Sequence, residues 1–502
     1  MEGLPEQIIS EFLSEYRASG VYTRDRLAKL AELLTSQNRQ VAESATRAFF
    51  TALVERLADS FEPASVSLYN RAFAQVIQLC RQDPRADSLD RELKTFGLVT
   101  EEDLIARSER LRHVSGLNVQ RSWASNLQRV IVLSRVTLGA DVAITSVMLE
   151  RMKHIFPEAE IVLLGGRKSA ELFGGDPRIR FKEINYRRTG TTIERLLTWI
   201  DLLECTRELT LGLERGEYLV VDPDTRLTQL GLLPLTRTQA SQQSHDPDAA
   251  AAEQKPDYIF FPSREYGSGT SQSLGELTSA WLDEVFGEGA RTYPRVSLKR
   301  DDIDAARALV SRMRAARSRP ICAVNFGVGE NQLKRVGGSF EASLVASLIQ
   351  EGASIVLDKG AGEDEIKRAD AVICEMTKVE GDGRRVRALD VDERTLTSTS
   401  SWEHLDAEVL VWKGRIGVLA ALIGESDLYI GYDSAGQHIA AALGVPCIDV
   451  FAGYSSRRML DRWKPTGKAD IRVVTVDTPR DPSENEAVAK VLTHAREMLK
   501  KS

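Results

Sequence analysis

The spacing of apolar and polar residues changes character once along the chain. Through about residue 110, apolar residues recur every three or four positions with charges between them, as in the stretch 24–60. This spacing is typical of amphipathic helices, so we predict an all-helical module over residues 1–115. Because the module shows no catalytic pattern, we interpret it as a packing unit with a possible role in binding a protein partner.

Beyond residue 128 the pattern becomes strand–helix–strand. An apolar, β-branched run at 129–134 precedes a helical stretch at 145–156 and a second apolar run at 160–166. Such runs are typical of buried parallel strands, which need a helical crossover between them. With the further runs 217–222 and 258–262, they predict a Rossmann-like domain over 125–290. A polar, low-complexity stretch near 236–256 is expected to be a flexible insertion in this domain.

A second strand–helix alternation predicts another Rossmann-like domain over residues 318–478. The candidate strands are 321–326, 354–360, 427–433, 446–453 and 471–476. We expect the strongly polar piece 379–401 to be a surface excursion, and residues 484–502 to form a terminal helix. The predicted fold class is therefore α/β, with two facing Rossmann-like domains behind a helical amino-terminal domain.

Composition narrows the functional classes. The chain has 502 residues and a net charge of −7, which argues against a general nucleic-acid binder. The sequence has no signal-peptide pattern and no apolar run long enough to span a bilayer. Its five cysteines lack CxxC spacing, which favours reduced thiols over a disulfide framework or a zinc site. We expect a cytoplasmic protein, at most peripheral at the inner membrane face.

Candidate chemistry lies at three strand ends, since open parallel sheets bind ligands at the carboxyl ends of their strands. One is Ser134–Asp141, with a glycine turn and a carboxylate. Another is Asn325–Gly329, followed by Lys334. The third is Asp433, Ser434, Ala435, Gly436, Gln437 and His438, followed by an alanine-rich helical run. The amides at the start of such a helix suit a pyrophosphate, and Lys334 adds a positive charge from the facing loop.

The third strand end resembles a known family. The stretch 431–453, GYDSAGQHIAAALGVPCIDVFAG, is similar to the signature of glycosyltransferase family 9, the ADP-heptose:lipopolysaccharide heptosyltransferases. The matching residues are Asp433, Ser434, His438, Ala440 to Gly444, Pro446, Gly453, Trp463 and Pro465. Here the glycine stands at Gly436, after Ala435, where the family has it directly after the serine.

Weaker similarities to the same family follow in the same order along residues 125–478. Arg135, Leu138, Gly139, Asp141 and Thr145 match its first motif, in which this chain inserts Ala140. Lys334 matches the family's lysine in the second domain, and the segment with Glu363 resembles its G-x-x-x-E stretch.

The resemblance implies a GT-B fold and an inverting, metal-independent transfer of a sugar. It implies a sugar-nucleotide co-substrate, with ADP-heptose as the family's donor, no further cofactor, and a role in bacterial cell-surface glycans. Glu363 is then a partner of the donor ribose. The acceptor is a glycan, a lipid-linked saccharide or a protein.

Displacement at an anomeric carbon needs a base for the acceptor hydroxyl and positive groups for the departing diphosphate. We assign the base to Asp141 and the diphosphate contacts to Lys334 and the amides around Ser434–Gln437, with His438 near phosphate or sugar.

Each assignment has a plainer alternative. Asp141, Asp433 and Ser434 are also typical helix caps. Lys334 and Glu363 suit a solvated surface, and His438 suits a buried core position. The pair Asp222 and Asp224, separated by a proline, fits a turn better than a metal site.

Two other classes of protein compete with an active transferase. A catalytically lapsed relative that binds a sugar nucleotide, or a scaffold, is favoured by the inserted Ala140 and Ala435. An unrelated two-domain α/β enzyme, such as a sugar-nucleotide epimerase or a dehydrogenase, is disfavoured; a dehydrogenase should show GxGxxG after its first strand, and the residues 137–141, TLGAD, do not supply it.

Overall fold

The computed structural model describes residues 3–112, 126–236, 256–329, 331–360, 362–376, 386–397, 407–476 and 484–500. The insertion expected near 236–256 therefore lies almost wholly outside the described residues. In the described part no helix is long and apolar enough to cross a membrane.

The amino-terminal module is helical, as its spacing predicts. Asn38 illustrates how its helices begin: the side-chain oxygen accepts the amides of Gln40 and Val41, at 3.0 and 3.4 Å. The helices are Leu4–Ser19, Arg24–Leu34, Arg39–Ala48, Arg56–Ala58, Pro63–Cys80, Asp87–Thr95 and Glu101–Arg112, with a π-helical turn at Phe49–Glu55 and a 3-10 turn at Pro84–Ala86.

The next part of the chain forms a five-stranded parallel sheet in the order β3-β2-β1-β4-β5. Its strands are β1 Arg129–Leu133, β2 Glu160–Gly165, β3 Ile179–Glu183, β4 Tyr218–Asp222 and β5 Tyr258–Phe260. The connecting helices are Leu138–Ala140, Ser146–Ile155, Arg167–Phe173, Thr192–Thr210 and Leu274–Phe286, with turns at Asp141–Thr145 (π) and Arg226–Thr228 (3-10).

Alternate residues of this sheet belong to two different cores. Ile131 and Leu133 pack with the helical module and with Trp199, whereas Val130 and Val132 pack toward the helix Ser146–Ile155 and the second domain. Successive strand side chains point to opposite faces, so both faces must be covered. One face of the first sheet is thus covered by a core that the helix Thr192–Thr210 and the helical module share.

The carboxyl-terminal part forms a seven-stranded parallel sheet in the order β12-β11-β10-β6-β7-β9-β8. Its strands are β6 Ile321–Asn325, β7 Ser354–Asp358, β8 Ala388–Asp392, β9 Val409–Lys413, β10 Leu428–Tyr432, β11 Cys447–Ala452 and β12 Ile471–Val476. The helices are Arg300–Ala316, Phe340–Gln350, Glu363–Met376, Glu393–Thr397, Ile416–Gly424, Ala435–Leu443, Arg457–Trp463 and Glu484–Leu499, with a 3-10 turn at Gln332–Lys334.

The predicted fold class is confirmed: two parallel α/β sheets follow a helical region. One expectation about the second sheet is wrong. The polar piece 379–401 is not simply a surface excursion, because its described part contains β8 and a short helix. β8 pairs with β9 at the sheet edge, where a strand needs only one apolar face. The alternation in Ala388–Asp392 is therefore compatible with a strand.

Candidate functional site

The two sheets reverse their strand order at points that face one another. In the first sheet, β1 lies between β2 and β4; in the second, β6 lies between β7 and β10. In parallel α/β sheets, such a reversal opens a crevice at the carboxyl ends of the two strands. The residues that follow β1 and β4, and those that follow β6 and β10, therefore define the site.

Asp141 lies in the first crevice and is fully buried. One carboxylate oxygen accepts hydrogen bonds from Ser134 Oγ and Ser169 Oγ, both at 2.7 Å. The other oxygen accepts hydrogen bonds from the Arg135 amide at 2.6 Å and from Thr145 Oγ1 at 2.9 Å. These four donors fill the acceptor positions that a carboxylate offers.

Burial raises the pKa of Asp141, while the four hydrogen bonds act in the opposite direction. The base role of Asp141 stays a prediction, and in this conformation no lone pair of the carboxylate is left for an acceptor hydroxyl. Asp141 does not cap the amino terminus of a helix either. Its hydrogen bonds with Ser134 and Ser169 link the loop after β1 to the helix Arg167–Phe173.

The loop after β4 is organised by Asp224, which is buried. Its carboxylate binds Arg264 through two bonds of 2.9 and 3.1 Å, and Ser263 Oγ donates to it at 2.9 Å. Arg135 Nη1 donates to the Pro223 carbonyl at 2.8 Å and lies 3.7 Å from the Asp224 carboxylate. Asp222 has other partners, the hydroxyls of Tyr258 and Thr228 and the amide of Thr225. The carboxylates of Asp222 and Asp224 thus bind different partners, which agrees with the predicted turn.

Backbone strain accompanies this crevice. Val136, after β1, and Asp224, after β4, have φ values of 72° and 68°. The left-handed region is costly for a residue with a Cβ, above all for a β-branched one. Strained residues of this kind persist where the surrounding structure holds them, often at functional sites.

In the second crevice, the helix Ala435–Leu443, called the donor-site helix below, begins directly after β10. Ser434 is its N-cap residue but makes no capping hydrogen bond. The first-turn amides therefore have no side-chain cap, and they are the groups that can bind a phosphate.

Lys334 and Asp433 meet beside the start of the donor-site helix. Lys334 Nζ lies 2.5 Å from Asp433 Oδ2, and the lysine side chain is 20% exposed. Burial acts to lower the pKa of Lys334, but attraction to Asp433 prevails and raises it. The lysine is therefore charged at neutral pH. The loop that carries it lies on Gly453, since any Cβ there would overlap the Leu333 carbonyl.

Gln437 and His438 complete the first turn of the donor-site helix. Gln437 Nε2 donates to Asp433 Oδ1 at 3.0 Å. His438 is buried, with its ring centroid 6.2 Å from that of Trp463. Burial lowers the pKa of His438 to about 4, so its ring is neutral at neutral pH and offers hydrogen bonds but no charge.

Several buried polar atoms under the donor-site helix have no hydrogen-bond partner among the described residues. They are Tyr429 Oη, Ser434 Oγ, Gln437 Oε1 and both carboxylate oxygens of Asp449. Burial raises the pKa of Asp449 well above its usual value, so this carboxyl holds its proton. Sequence reasoning missed Tyr429 and Asp449, because nothing distinguishes them within apolar strands.

The two crevices touch. A Cβ on Gly139, after β1, would lie 3.3 Å from His438 Cδ2 and 3.4 Å from Ala435 Cα. Arg462 reaches across the domains to the carbonyls of Gly267 and Gln272, at 2.7 Å each. The structure thus brings Asp433, Ser434, Ala435, Gly436, Gln437, His438 and Lys334 together, with the Asp141 loop against them.

Glu363 is placed differently from this group. It is exposed at the first turn of the helix Glu363–Met376. The side chain turned toward the strand-end loops belongs to Glu365, whose Oε2 accepts the Gly362 amide at 3.2 Å. The predicted ribose contact of Glu363 stays a prediction.

The helical module also reaches the site, which the sequence did not indicate. Phe61 lies with its ring centroid 6.1 Å from that of Trp463, and its carbonyl accepts Arg458 Nη1 at 2.9 Å. Asp59 interacts electrostatically with Lys334 and Asp433. No period or motif marks these residues, because they come together only when the module packs on the first sheet.

Fold and site together define a two-domain parallel α/β protein with an uncapped helix start beside Lys334 at the contact between its domains. Residues 399–489 match the model of the family described as glycosyltransferase family 9 (heptosyltransferase). The match contains the donor-site helix and Trp463. It confirms the resemblance carried by residues 431–453 and, with it, the prediction of a glycosyltransferase.

Three solved structures are similar to this chain. A glycosyltransferase family 9 protein from Veillonella parvula is 15% identical, with 75% of this chain and 98% of that one covered and a TM-score of 0.48. The E. coli ADP-heptose LPS heptosyltransferase II is 12% identical, with coverage of 74% and 99% and a TM-score of 0.45. The E. coli heptosyltransferase WaaC with ADP is 15% identical, with coverage of 74% and 100% and a TM-score of 0.46.

No curated protein matches the chain significantly.

Proposed function

We propose that this protein is an inverting, metal-independent glycosyltransferase that moves a sugar from a nucleoside diphosphate sugar to an acceptor hydroxyl. The observation that carries the proposal is the pairing of Lys334 with Asp433 at the uncapped start of the donor-site helix. A heptose is the sugar that the family description favours, and ADP-heptose is the donor that the resemblance implies. Acceptors of this class are glycans, lipid-linked saccharides or proteins.

The donor side suits a diphosphate because it offers positive charge and free amides. Lys334 is held in place by Asp433 and kept protonated. The amides of the helix start add partial positive charge where negative charge develops on the leaving diphosphate. These groups perform the task for which other transferases use a cation, which is why we propose a reaction without one.

The opposed crevices suit a single displacement. Residues after β1 touch the start of the donor-site helix from the other domain. An acceptor held on that side attacks the anomeric carbon from the face opposite the diphosphate. Attack from that face inverts the configuration of the carbon.

For the location of the protein, we propose the cytoplasm, with contact at the inner membrane face where the acceptor is lipid-linked. All five cysteines are free thiols, and four of them are buried. Free thiols are typical of a reducing compartment.

The test is calorimetric titration of the wild type and of Lys334→Ala with ADP, UDP, GDP and ADP-heptose at fixed salt. One nucleotide should bind selectively, and Lys334→Ala should weaken it about 10- to 100-fold, as expected for loss of a charge-assisted contact of about 1.5–3 kcal/mol. Lys490→Ala, a change at an exposed lysine of the terminal helix, is the matched control. If no nucleotide binds the wild type, the proposal is wrong.

A second candidate is a lapsed transferase that binds a sugar nucleotide without turnover, or a scaffold. The four hydrogen bonds that occupy Asp141 favour it. Measuring ADP release from ADP-heptose beside binding separates the two: selective binding without release in the presence of acceptor supports the lapsed protein.

A further inference from the structure

A cleft lies at the carboxyl end of β5, the edge strand of the first sheet. Its volume is about 500 Å³, within the usual range of small-molecule sites. The helix Glu101–Arg112 of the helical module forms one wall, and the loop after β5 and the helix Leu274–Phe286 form the others. The polar and aromatic side chains that line it are Glu109, Arg112, Glu265, Tyr266, Trp281 and Glu284.

The cleft belongs to the acceptor side of the transfer site. Because the sheet is parallel, β5 ends at the same edge as β1 and β4, and two strand spacings, about 10 Å, separate it from β1. The wall of the cleft at Gly267 is also tied to the second domain, since the Gly267 carbonyl accepts a hydrogen bond from Arg462 Nη2 at 2.7 Å. The next residue, Trp463, packs edge-on against His438 of the donor-site helix. An acceptor whose reacting hydroxyl lies in the first crevice can therefore extend into the cleft.

Aromatic side chains give the cleft an apolar surface. Trp281 is buried and Tyr266 is partly buried, and their rings pack against Phe261 with centroid distances of 5.1 and 5.7 Å. Tyr266 Oη donates a hydrogen bond to the Glu284 carboxylate, which holds the tyrosine ring in place. Flat apolar rings beside fixed polar groups suit a ligand that has both an apolar face and hydroxyl groups, as a sugar ring has.

The charged groups of the cleft are mainly acidic. Arg112 is paired with Glu265, with 3.3 Å between Arg112 Nε and Glu265 Oε1. Glu109 and Glu284 are exposed and leave the lining with an excess of negative charge, and Glu109 has no hydrogen bond or ion pair in the described part of the chain. Ionised carboxylates accept hydrogen bonds and cannot donate them. They therefore suit hydroxyl or ammonium groups and repel phosphates and carboxylates.

We propose that this cleft is the acceptor subsite for an uncharged or amine-bearing sugar unit, so that the helical module takes part in selecting the acceptor. The inference rests on the proposed function. The sugar ring lies against Tyr266 and Trp281. Its hydroxyl or ammonium groups donate hydrogen bonds to Glu109 and Glu284. This sugar is not the one that reacts, because the transfer site lies two strands away, and the acceptor is therefore an oligosaccharide.

The test measures saccharide binding to the full-length protein by saturation-transfer NMR titration, without a donor. The probes are maltose, cellobiose, chitobiose with free amino groups, and a terminally phosphorylated form of each neutral disaccharide. Acetyl-lysine amide represents a side chain of a protein partner.

Two variants change the cleft, Glu109→Gln at its exposed rim and Tyr266→Ala at its aromatic wall. Glu158→Gln is the matched control, because Glu158 is an exposed glutamate that precedes β2 at the opposite edge of the same sheet. A thermal melt shows that each variant is folded.

We expect at least one unphosphorylated disaccharide to bind the wild type, and its phosphorylated form to bind more weakly. Tyr266→Ala should weaken that binding roughly tenfold through loss of the ring. Glu109→Gln should weaken it about fivefold, because a charged acceptor becomes a neutral one. Glu158→Gln should match the wild type.

Three results would overturn the proposal: no disaccharide binds, binding is unchanged in both cleft variants, or acetyl-lysine amide binds in place of the sugars. Nucleotide titration of the same wild-type sample separates these results from failure of the proposed function. Nucleotide binding without sugar binding leaves the transferase proposal in place and removes the subsite. Sugar binding at the cleft without nucleotide binding means that the proposed function is wrong, and with it the acceptor role, although the cleft remains a saccharide site.

Discussion

The two crevices are built from the same topology but differ in how their buried carboxylates are satisfied. In the first, each carboxylate oxygen of Asp141 and Asp224 has a donor from the protein. In the second, Ser434, Gln437 and Asp449 have buried atoms with no partner among the described residues. Satisfied networks rigidify a structure, while unpaired buried groups carry a free-energy cost. The comparison indicates a fixed frame facing a site with hydrogen-bonding capacity to spare for a ligand.

The largest loss of stability is expected when the hydrogen-bond network of Asp224 in the first crevice is broken. Asp224→Ala leaves Arg264 and Arg135 without their carboxylate, and Arg264 is 3% exposed. Removing one partner of a buried ion pair costs about 3–5 kcal/mol in the free energy of unfolding. Urea denaturation followed by circular dichroism measures it.

Asp304→Ala is the control for Asp224→Ala, because Asp304 pairs with Arg300 on the exposed surface, where such pairs contribute about 0–1 kcal/mol. Equal losses in the two variants would show that the Asp224 network is not a rigid frame. The pH dependence points the same way. Burial alone would raise the pKa of Asp224, but Arg264 and Arg135 lower it. The stability that Asp224 contributes is therefore present above the usual aspartate pKa and is lost as the pH falls from there through the folded pKa.

An intermediate effect is expected at the second crevice from Gly436→Ala. A Cβ there would overlap the Tyr429 hydroxyl, and Tyr429 is fully buried. Overpacking of this kind typically costs about 1–3 kcal/mol. The double variant Gly436→Ala with Tyr429→Phe removes the most strongly overlapping atom and should recover part of the loss in thermal stability, since Tyr429 Cζ would still lie 2.8 Å from the Cβ. If it recovers none, the clash is not the cause.

The smallest effect is expected from Asp449→Asn. Since burial raises the pKa of Asp449 above its usual 3.8, folding must take up a proton once the pH exceeds that value. Stability of the wild type therefore falls as the pH rises above about 4, until the folded pKa is passed. Asparagine cannot ionise, so the variant should match the wild type near pH 3 and exceed it by about 1 kcal/mol near pH 4.5.

Melting temperatures at the two pH values measure the effect of Asp449→Asn. A variant less stable than the wild type at the higher pH would mean that Asp449 is ionised and paired there. In that case Asp449 would be as fully satisfied as Asp141 and Asp224, and the contrast between the carboxylates of the two crevices would disappear.

Much of the fold could be predicted from the sequence because buried parallel strands are continuous apolar runs. The runs at 129–134 and 446–453 are confirmed as β1 and β11. The strand β3, Ile179–Glu183, was missed because it lies at the sheet edge and alternates with charged residues. The strand β8 was missed for the same reason, because it is an edge strand within a polar stretch.

The site could be predicted only where a residue follows a strand directly. Asp433 and its successors follow β10, so their place at the start of a helix was readable. Asp449 lies inside β11, where nothing but its carboxylate differs from the neighbours, and its burial shows only in three dimensions. Phe61 reaches the site through the packing of a separate module, which no local pattern encodes.

The core shared by the helical module and the first sheet has a consequence for synthesis on the ribosome. This core runs from Ile8 to Phe260, so its earliest helices emerge long before the strands they must cover. Chains usually fold domain by domain as they emerge, amino terminus first. Here the helices of the module can pack on one another early, but the part of the core that they share with the first sheet is complete only when β5 has left the exit tunnel. The interval before then is when this chain should depend most on chaperones.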